Sequence, residues 1–171
     1  MLVDCGSDDR VKSDIVERYS ELVANNYSAV IGIRDVYPDV SYTDIGRLRV
    51  GLRYRVPTNP INVCFVLGVM EIESWFLSEY THFGRLHPSL TADLIRASLG
   101  FDPRSDDMQL RGKPSDDIDA AYRIVGLRYT KTKGEIERTV DALSFEHLYV
   151  EMGDRLPDLR ILNTAIDAFL S

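Results

Sequence analysis

Hydrophobic residues follow two different patterns along the first half of the chain: continuous runs and helical spacing. Three short apolar runs, over residues 1–5, 28–33 and 61–69, contain few charges. Runs of this length are typical of strands that are covered on both faces of a parallel sheet. Between them, over residues 11–23 and 41–52, apolar residues recur at helical spacing. A strand–helix–strand–helix–strand order with links of this length predicts right-handed crossovers and a parallel sheet.

The strand pattern stops after Tyr80, and the second half of the chain is predicted to be helical. Helices are expected over residues 91–99, from 115 to near 126, over 134–143 and over 157–170, with a polar loop from 101 to 113. His82 and His87 are predicted to lie in loops. The length of 171 residues suits one α/β domain. Residues 1–80 would form a mostly parallel, Rossmann-like sheet core flanked by helices, and residues 81–171 a helical layer packed on it.

The charge of the chain narrows the classes of partner. A net charge of −7 disfavours a protein whose whole surface binds nucleic acid. A local basic groove stays open, although solvated helix and loop faces are the favoured interpretation of the basic clusters. These clusters are Arg47, Arg49, Arg53 and Arg55 in one segment, and Arg128, Lys131 and Lys133 in another.

The cysteines and the apolar runs indicate a cytoplasmic location. Cys5 and Cys64 both lie in predicted strands, which favours buried thiols in a reducing compartment over a disulfide. The start of the chain reaches Asp4 at once and has no signal-peptide pattern. The longest apolar run, over residues 61–70, is too short to span a bilayer. We therefore expect a cytoplasmic protein with no membrane partner.

Acidic residues stand at the end of each predicted strand. Asp4 lies in the first, Asp35 and Asp39 follow the second, and Glu71 and Glu73 follow the third. Ligands of open parallel sheets bind beyond these carboxyl ends, and carboxylates gathered there need a compensating cation. With no His or Cys nearby, oxygen ligands favour Mg²⁺ or Mn²⁺.

A simpler explanation of the same acids stays open. Strands end at the surface, where aspartate favours turns, and Glu71 and Glu73 also suit the first turn of a helix. Because the two glutamates are two residues apart, only one of them is expected to face a given ion.

Three segments together resemble a known family. The segment over residues 70–77 reads Met-Glu-Ile-Glu-Ser-Trp-Phe-Leu, an acidic turn spans residues 33–39, and Tyr-Thr-Lys occupies residues 129–131. In this combination the chain resembles the bacterial family called domain of unknown function 4276. The fold of that family is similar to the Toprim domain of topoisomerases, primases and overcoming-lysogenization-defect nucleases. The resemblance covers most of the chain and implies a Toprim-like sheet.

The resemblance also implies a function and a site. It implies a nuclease-like enzyme that uses Mg²⁺ or Mn²⁺ to hydrolyse phosphodiesters or nucleotide phosphates. Carried over by position, Asp35 would bind the metal, Asp39 would stand in for its partner, and Glu73 or Glu71 would be the additional acid. Lys131 would contact phosphate. The catalytic set would then be Asp35, Glu73 and Lys131.

The chain departs from the family pattern in two places, and these departures define the competing hypotheses. Asp35 and Asp39 are four residues apart rather than two, and the family's first strand with its catalytic glutamate has no counterpart. Either the chain starts too late or the activity is lost, unless Asp4 or Asp8 substitutes. The second hypothesis is a non-catalytic, degenerate Toprim-like module that binds an ATPase partner or a nucleic acid. A homodimer formed through an uncovered strand edge is a third.

Overall fold

Two parallel strands, β1 (Ala29–Asp35) and β2 (Asn62–Gly68), form the sheet of this α/β fold. The computed structural model describes residues 1–171. Ala29 lies opposite Asn62 and Asp35 opposite Gly68, so both strands end at the same edge. The helices are α1 (Arg10–Ala24), α2 (Ile45–Arg53), α3 (Glu73–Ser78), α4 (His82–Leu86), α5 (Ala92–Leu99), α6 (Pro114–Arg123), α7 (Lys133–Ala142), α8 (Phe145–Val150) and α9 (Pro157–Leu170).

The parallel pairing of the two longer apolar runs is confirmed, but the prediction of a third strand over residues 1–5 is wrong. The side chain of Asp4 accepts a hydrogen bond from the Gly6 amide (2.8 Å), and such a local turn competes with strand pairing. Residues 1–8 still make contacts near both ends of β1. The Tyr27 hydroxyl, which lies just before β1, contacts the Met1 sulfur. The amide of Asp35, the last residue of β1, donates to Asp8 Oδ1.

Helices cover both faces of the sheet. On one face α1 packs against β1 and α2 against β2. Gly32 of β1 lets α1 come close, since a Cβ there would lie 2.8 Å from Ile15 Cδ1. On the other face α9 packs around Val66 and Trp75. The prediction that β1 is covered on both faces is wrong at Ile33, which is 46% exposed.

The C-terminal half builds a core of its own, and in this it differs from the predicted layer on the sheet. The predicted helices are confirmed, but helices α3 to α6 bury apolar side chains mainly against one another, around Leu77, Phe83 and Tyr122. Of the later helices, α9 packs on the strands. The short 3₁₀ turn over residues 108–110 lies within the predicted loop and buries Met108 in the helical core.

The prediction that His82 lies in a loop is wrong. His82 opens α4 and is fully buried. Its Nδ1 lies 2.6 Å from the Glu79 carbonyl and its Nε2 lies 3.1 Å from the Tyr122 hydroxyl. Burial lowers the pKa of His82 to about 4, so the neutral ring is part of the helical core. His87 ends α4.

An aspartate from elsewhere in the chain closes the end of each strand. Asp158, at the start of α9, accepts hydrogen bonds from the Leu67 amide (3.0 Å) and from Arg49 (2.9 and 2.5 Å). Asp8 does the same for the Asp35 amide (2.8 Å). These contacts satisfy amides that sheet pairing leaves open.

The cysteines form no disulfide. Cys5 and Cys64 are free thiols and half-buried. None of the helices combines the length and the apolar character that crossing a bilayer requires.

Candidate functional site

The site lies beyond the carboxyl ends of the two strands. Asp35 is the last residue of β1, and Glu71 and Glu73 follow β2. Between them Met70 adopts a left-handed backbone conformation (φ 61°), which is uncommon for a residue with a side chain. This turn carries the chain from the sheet into α3. The loop between α6 and α7 brings Lys131 to the same place, where it contacts both glutamates.

Asp35 is held among other acids. Its Oδ1 accepts a hydrogen bond from the Ile72 amide (2.8 Å), and its own amide donates to Asp8 Oδ1 (2.8 Å). Burial, followed by the charges of Glu73 and Asp8, raises the pKa of Asp35 to about 7. A carboxyl with this pKa releases its proton near pH 7. A cation that offsets the neighbouring negative charges would lower this pH.

Glu71 has both oxygens occupied by its neighbours. Oε2 accepts from the Ser115 amide (2.8 Å), and Oε1 accepts from the Ser115 hydroxyl (3.0 Å) and from Lys131 Nζ (3.0 Å). Burial opposes ionisation, but these hydrogen bonds lower the pKa of Glu71. A carboxylate at the first turn of α6 also interacts favourably with the helix dipole. Glu71 therefore joins the end of β2 to the start of α6.

Glu73 has one occupied oxygen and one free oxygen. Its Oε1 accepts from the Tyr129 hydroxyl (2.8 Å) and lies 3.1 Å from Lys131 Nζ. Its Oε2 is buried and has no hydrogen-bond partner. Buried polar atoms without a partner are rare and costly in folded proteins. The two glutamates therefore differ: both oxygens of Glu71 accept hydrogen bonds, whereas one oxygen of Glu73 accepts none.

The loop over residues 129–132 is fixed by side chains on α6 and α7. The Tyr129 amide donates to Asp119 (2.9 Å), and the Glu135 carboxylate accepts from the Thr130 amide and hydroxyl (2.7 and 2.9 Å). Lys131 has a left-handed backbone (φ 60°) between these anchors. Against the effect of burial, the charges of Glu73 and Glu71 raise the pKa of Lys131, so its ammonium group stays charged.

The structure therefore brings together Asp35, Glu71, Glu73 and Lys131, but not Asp39. The Asp39 side chain is 51% exposed and lies 3.7 Å from the Arg34 guanidinium. Asp4 also lies outside the site, because it is exposed and bonds to the Gly6 amide. Asp8 belongs to the site through its bond to Asp35.

Sequence reasoning missed two residues of the site. Ser115 marked only the start of a predicted helix, and its bond to Glu71 spans 44 positions. Tyr129 belongs to the Tyr-Thr-Lys segment that was noted for Lys131 alone. Its position two residues before Lys131 was the one available signal.

The acids of this cluster do not form a metal site with three or more protein ligands. No three Asp, Glu, His or Cys side chains are grouped so that they could hold a metal ion together. Mg²⁺, however, usually keeps several waters and uses one or two protein carboxylates together with phosphate oxygens of the substrate. Glu73, whose Oε2 has no partner, and Asp35 are two carboxylates of the kind that such an ion uses.

Gly68 tests how tightly the site is built. A Cβ at this position would collide with the Asp35 carboxylate and lie 2.8 Å from the Ile72 amide. We expect Gly68→Ala to lower the free energy of unfolding by about 2 kcal/mol, because the added methyl group must displace the Asp35–Ile72 hydrogen bond. Urea unfolding measures this.

Gly51→Ala is the control for that substitution. Gly51 lies on an exposed face of α2, where a Cβ would meet nothing within 4 Å. There alanine should stabilise the protein by up to about 1 kcal/mol, because it favours the helix. Equal effects of the two substitutions would contradict the tight contact at Gly68.

No protein-family model matches the chain, and no match was found among the curated proteins or the solved structures.

Proposed function

We propose that this protein is a Mg²⁺- or Mn²⁺-dependent, nuclease-like enzyme that hydrolyses phosphodiesters or nucleotide phosphates. Two observations support the proposal. One is the resemblance of residues 70–77, 33–39 and 129–131 to the Toprim-like family. The other is the arrangement of acids and a lysine beyond the ends of two parallel strands, which is where ligands of such sheets bind.

The free oxygen of Glu73 is the observation that carries the proposal. Glu73 Oε2 is buried and unpartnered, and burial, together with the charge of Glu73, raises the pKa of the neighbouring Asp35. Burying negative charge is unfavourable unless cations offset it. Lys131 supplies one positive charge beside Glu71 and Glu73, and a second cation would offset more of the negative charge of this cluster. A divalent ion bound by Asp35 and Glu73 would satisfy the free oxygen and allow Asp35 to ionise.

Each residue then has a defined task. Asp35 and Glu73 would hold the ion, and Glu71 would keep the glutamate-bearing turn attached to α6. When bound, the ion would supply charge neutralisation and orientation of phosphate oxygens. Lys131, with its side chain 43% exposed, would turn from the glutamates to a phosphate oxygen of the substrate as the ion takes over their charge.

Calorimetric titration with Mn²⁺ and Mg²⁺ tests the proposal. We expect the wild type to bind either ion and Glu73→Gln to bind at least about tenfold more weakly, because the substitution removes the charge of one of two ligands. Mn²⁺-dependent hydrolysis of bis(4-nitrophenyl) phosphate should be lost with it. A wild type that binds neither ion, or a Glu73→Gln variant that binds as well, would overturn the proposal.

Two further variants make the titration specific. Asp39→Asn removes the same charge from an exposed position outside the site, and we expect it to leave the Mn²⁺ affinity unchanged. Glu71→Gln removes the charge and one of the two oxygens that accept from Ser115 and Lys131. It should lower stability and weaken Mn²⁺ binding less than Glu73→Gln does. The reverse order would assign the ligand role to Glu71.

The second candidate function is a non-catalytic, Toprim-like module that binds an ATPase partner or a nucleic acid. A sheet of only two strands favours it, since each strand has one edge without a strand partner, where another chain can pair. The Ile33 side chain on β1 is also exposed. This second candidate predicts that a pull-down from the native host recovers an ATPase or nucleic acid with the wild type but not with Ile33→Lys. Size-exclusion chromatography of the two proteins would separate this outcome from a homodimer.

A further inference from the structure

Tyr129 makes a single side-chain hydrogen bond, and that bond goes to the site. Its hydroxyl donates to Glu73 Oε1 over 2.8 Å, and its side chain is buried. A tyrosine hydroxyl, with an ordinary pKa of about 10, is protonated at neutral pH and is therefore the donor in this bond.

The other contact of Glu73 Oε1 comes from a more exposed side chain. Lys131 reaches the same oxygen over 3.1 Å, but it also contacts Glu71 and its side chain is 43% exposed. A long, partly exposed lysine side chain can leave for another anion. The Tyr129 ring cannot, because it packs edge-on against Tyr122 (centroids 6.1 Å apart) within the helical core.

The backbone that carries Tyr129 is fixed as well. Its amide donates to Asp119 on α6. The next residue, Thr130, is tied twice to Glu135 on α7. The hydroxyl thus reaches Glu73 from a rigid support, and rigid donors of this kind set the orientation and the charge of a ligating carboxylate.

We infer that Tyr129 is the positioning residue of Glu73: it holds Oε1 so that Oε2 faces the cation. The inference rests on the proposed function, because it assigns the donor that orients one of the two proposed ligands. Tyr129 does not touch the reacting groups; it acts through Glu73. It also keeps Glu73 in place when Lys131 turns to a phosphate.

Tyr129→Phe is the direct test, since it removes the hydroxyl and keeps the ring. We expect Mn²⁺ affinity, measured by calorimetry, to fall about 10- to 100-fold. The paramagnetic resonance spectrum of bound Mn²⁺ should broaden, because Glu73 can then rotate. Glu135→Gln, which loosens the same loop without touching Glu73, should produce a smaller decrease in the same direction.

Tyr122→Phe is the matched control. Tyr122 is a buried tyrosine in the same core, and its hydroxyl bonds to Thr139 and His82 instead of an acid of the site. It should lose comparable stability in urea unfolding while Mn²⁺ affinity and the spectrum stay as in the wild type. A role of Tyr129 in folding alone would therefore leave Mn²⁺ binding of Tyr129→Phe unchanged.

The outcomes separate the two proposals. If the wild type binds Mn²⁺ and Tyr129→Phe binds it equally well or more tightly, the positioning role is wrong and the proposed function stands. If Tyr122→Phe weakens binding as much as Tyr129→Phe does, the effect is one of core packing and the positioning role is again wrong. If the wild type binds no Mn²⁺ at all, both fail.

Discussion

Replacing Asp35 by asparagine is expected to raise the free energy of unfolding by about 2 kcal/mol at pH 8. A carboxyl whose pKa rises from 3.8 to about 7 on folding would, if fully buried, destabilise the ionised protein by about 4 kcal/mol. Asp35 is partly exposed, so solvent screening should halve that value. Asparagine keeps the acceptor for the Ile72 amide and removes the charge.

The sign of the effect follows from which state holds the proton. Below about pH 4 the carboxyl is protonated in both states, and the substitution should change little. Between about pH 4 and pH 7 the unfolded chain ionises while the folded chain keeps its proton, so the wild type loses stability as the pH rises. The advantage of Asp35→Asn should therefore grow over this range and stay constant above pH 7.

Urea unfolding at pH 4, 6 and 8 measures this difference. Asp39→Asn is the control, because Asp39 is half-exposed beside Arg34 and its removal should give no such pH dependence. A stability difference for Asp35→Asn that is the same at all three pH values would contradict the crowding of Asp35 by Glu73 and Asp8.

Replacing Asp158 by alanine should have a large effect in the opposite direction, a loss of about 3 kcal/mol at pH 7. The Asp158 side chain is 1% exposed and accepts from Arg49 and from the Leu67 amide of β2. Its removal leaves a partly buried guanidinium and a strand amide without partners, and breaking such buried pairs costs several kcal/mol.

Asp154→Ala is the matched control for Asp158→Ala. Asp154 also pairs with an arginine, but it is 95% exposed and 3.4 Å from Arg160, so less than about 1 kcal/mol should be lost. Asp158→Asn, which can still accept from the Leu67 amide, should fall between the two in urea unfolding. Equal losses for the two alanine variants would show that burial at Asp158 matters little.

Local patterns in the sequence were enough for most of the elements. The apolar runs predicted β1 and β2. Their parallel pairing followed from the helical pattern between them, because a helix provides the crossover that parallel strands need. The third strand was wrong, because a turn closed by Asp4 wins over strand pairing. His82 was misplaced because α4 has only five residues, too few for a helical period to show.

The site was predictable where strand ends define it and unpredictable where distant residues complete it. Asp35 and Glu73 follow from the two strand ends. Spacing alone could not exclude Asp39 from the site. The chain turns away after β1 through a hydrogen bond from the Val40 amide to the Val36 carbonyl. Tyr129 meets Glu73 across 56 positions, and no local pattern encodes such a contact.

The contacts of Glu71 and Glu73 also connect two parts of the fold. Both acids follow β2 of the sheet and receive hydrogen bonds from Ser115, Tyr129 and Lys131 of the helical half, so they link the two cores. An anion that draws Lys131 away removes two of the ion pairs in this link. Filling the site would then weaken the attachment of the helical half to the sheet.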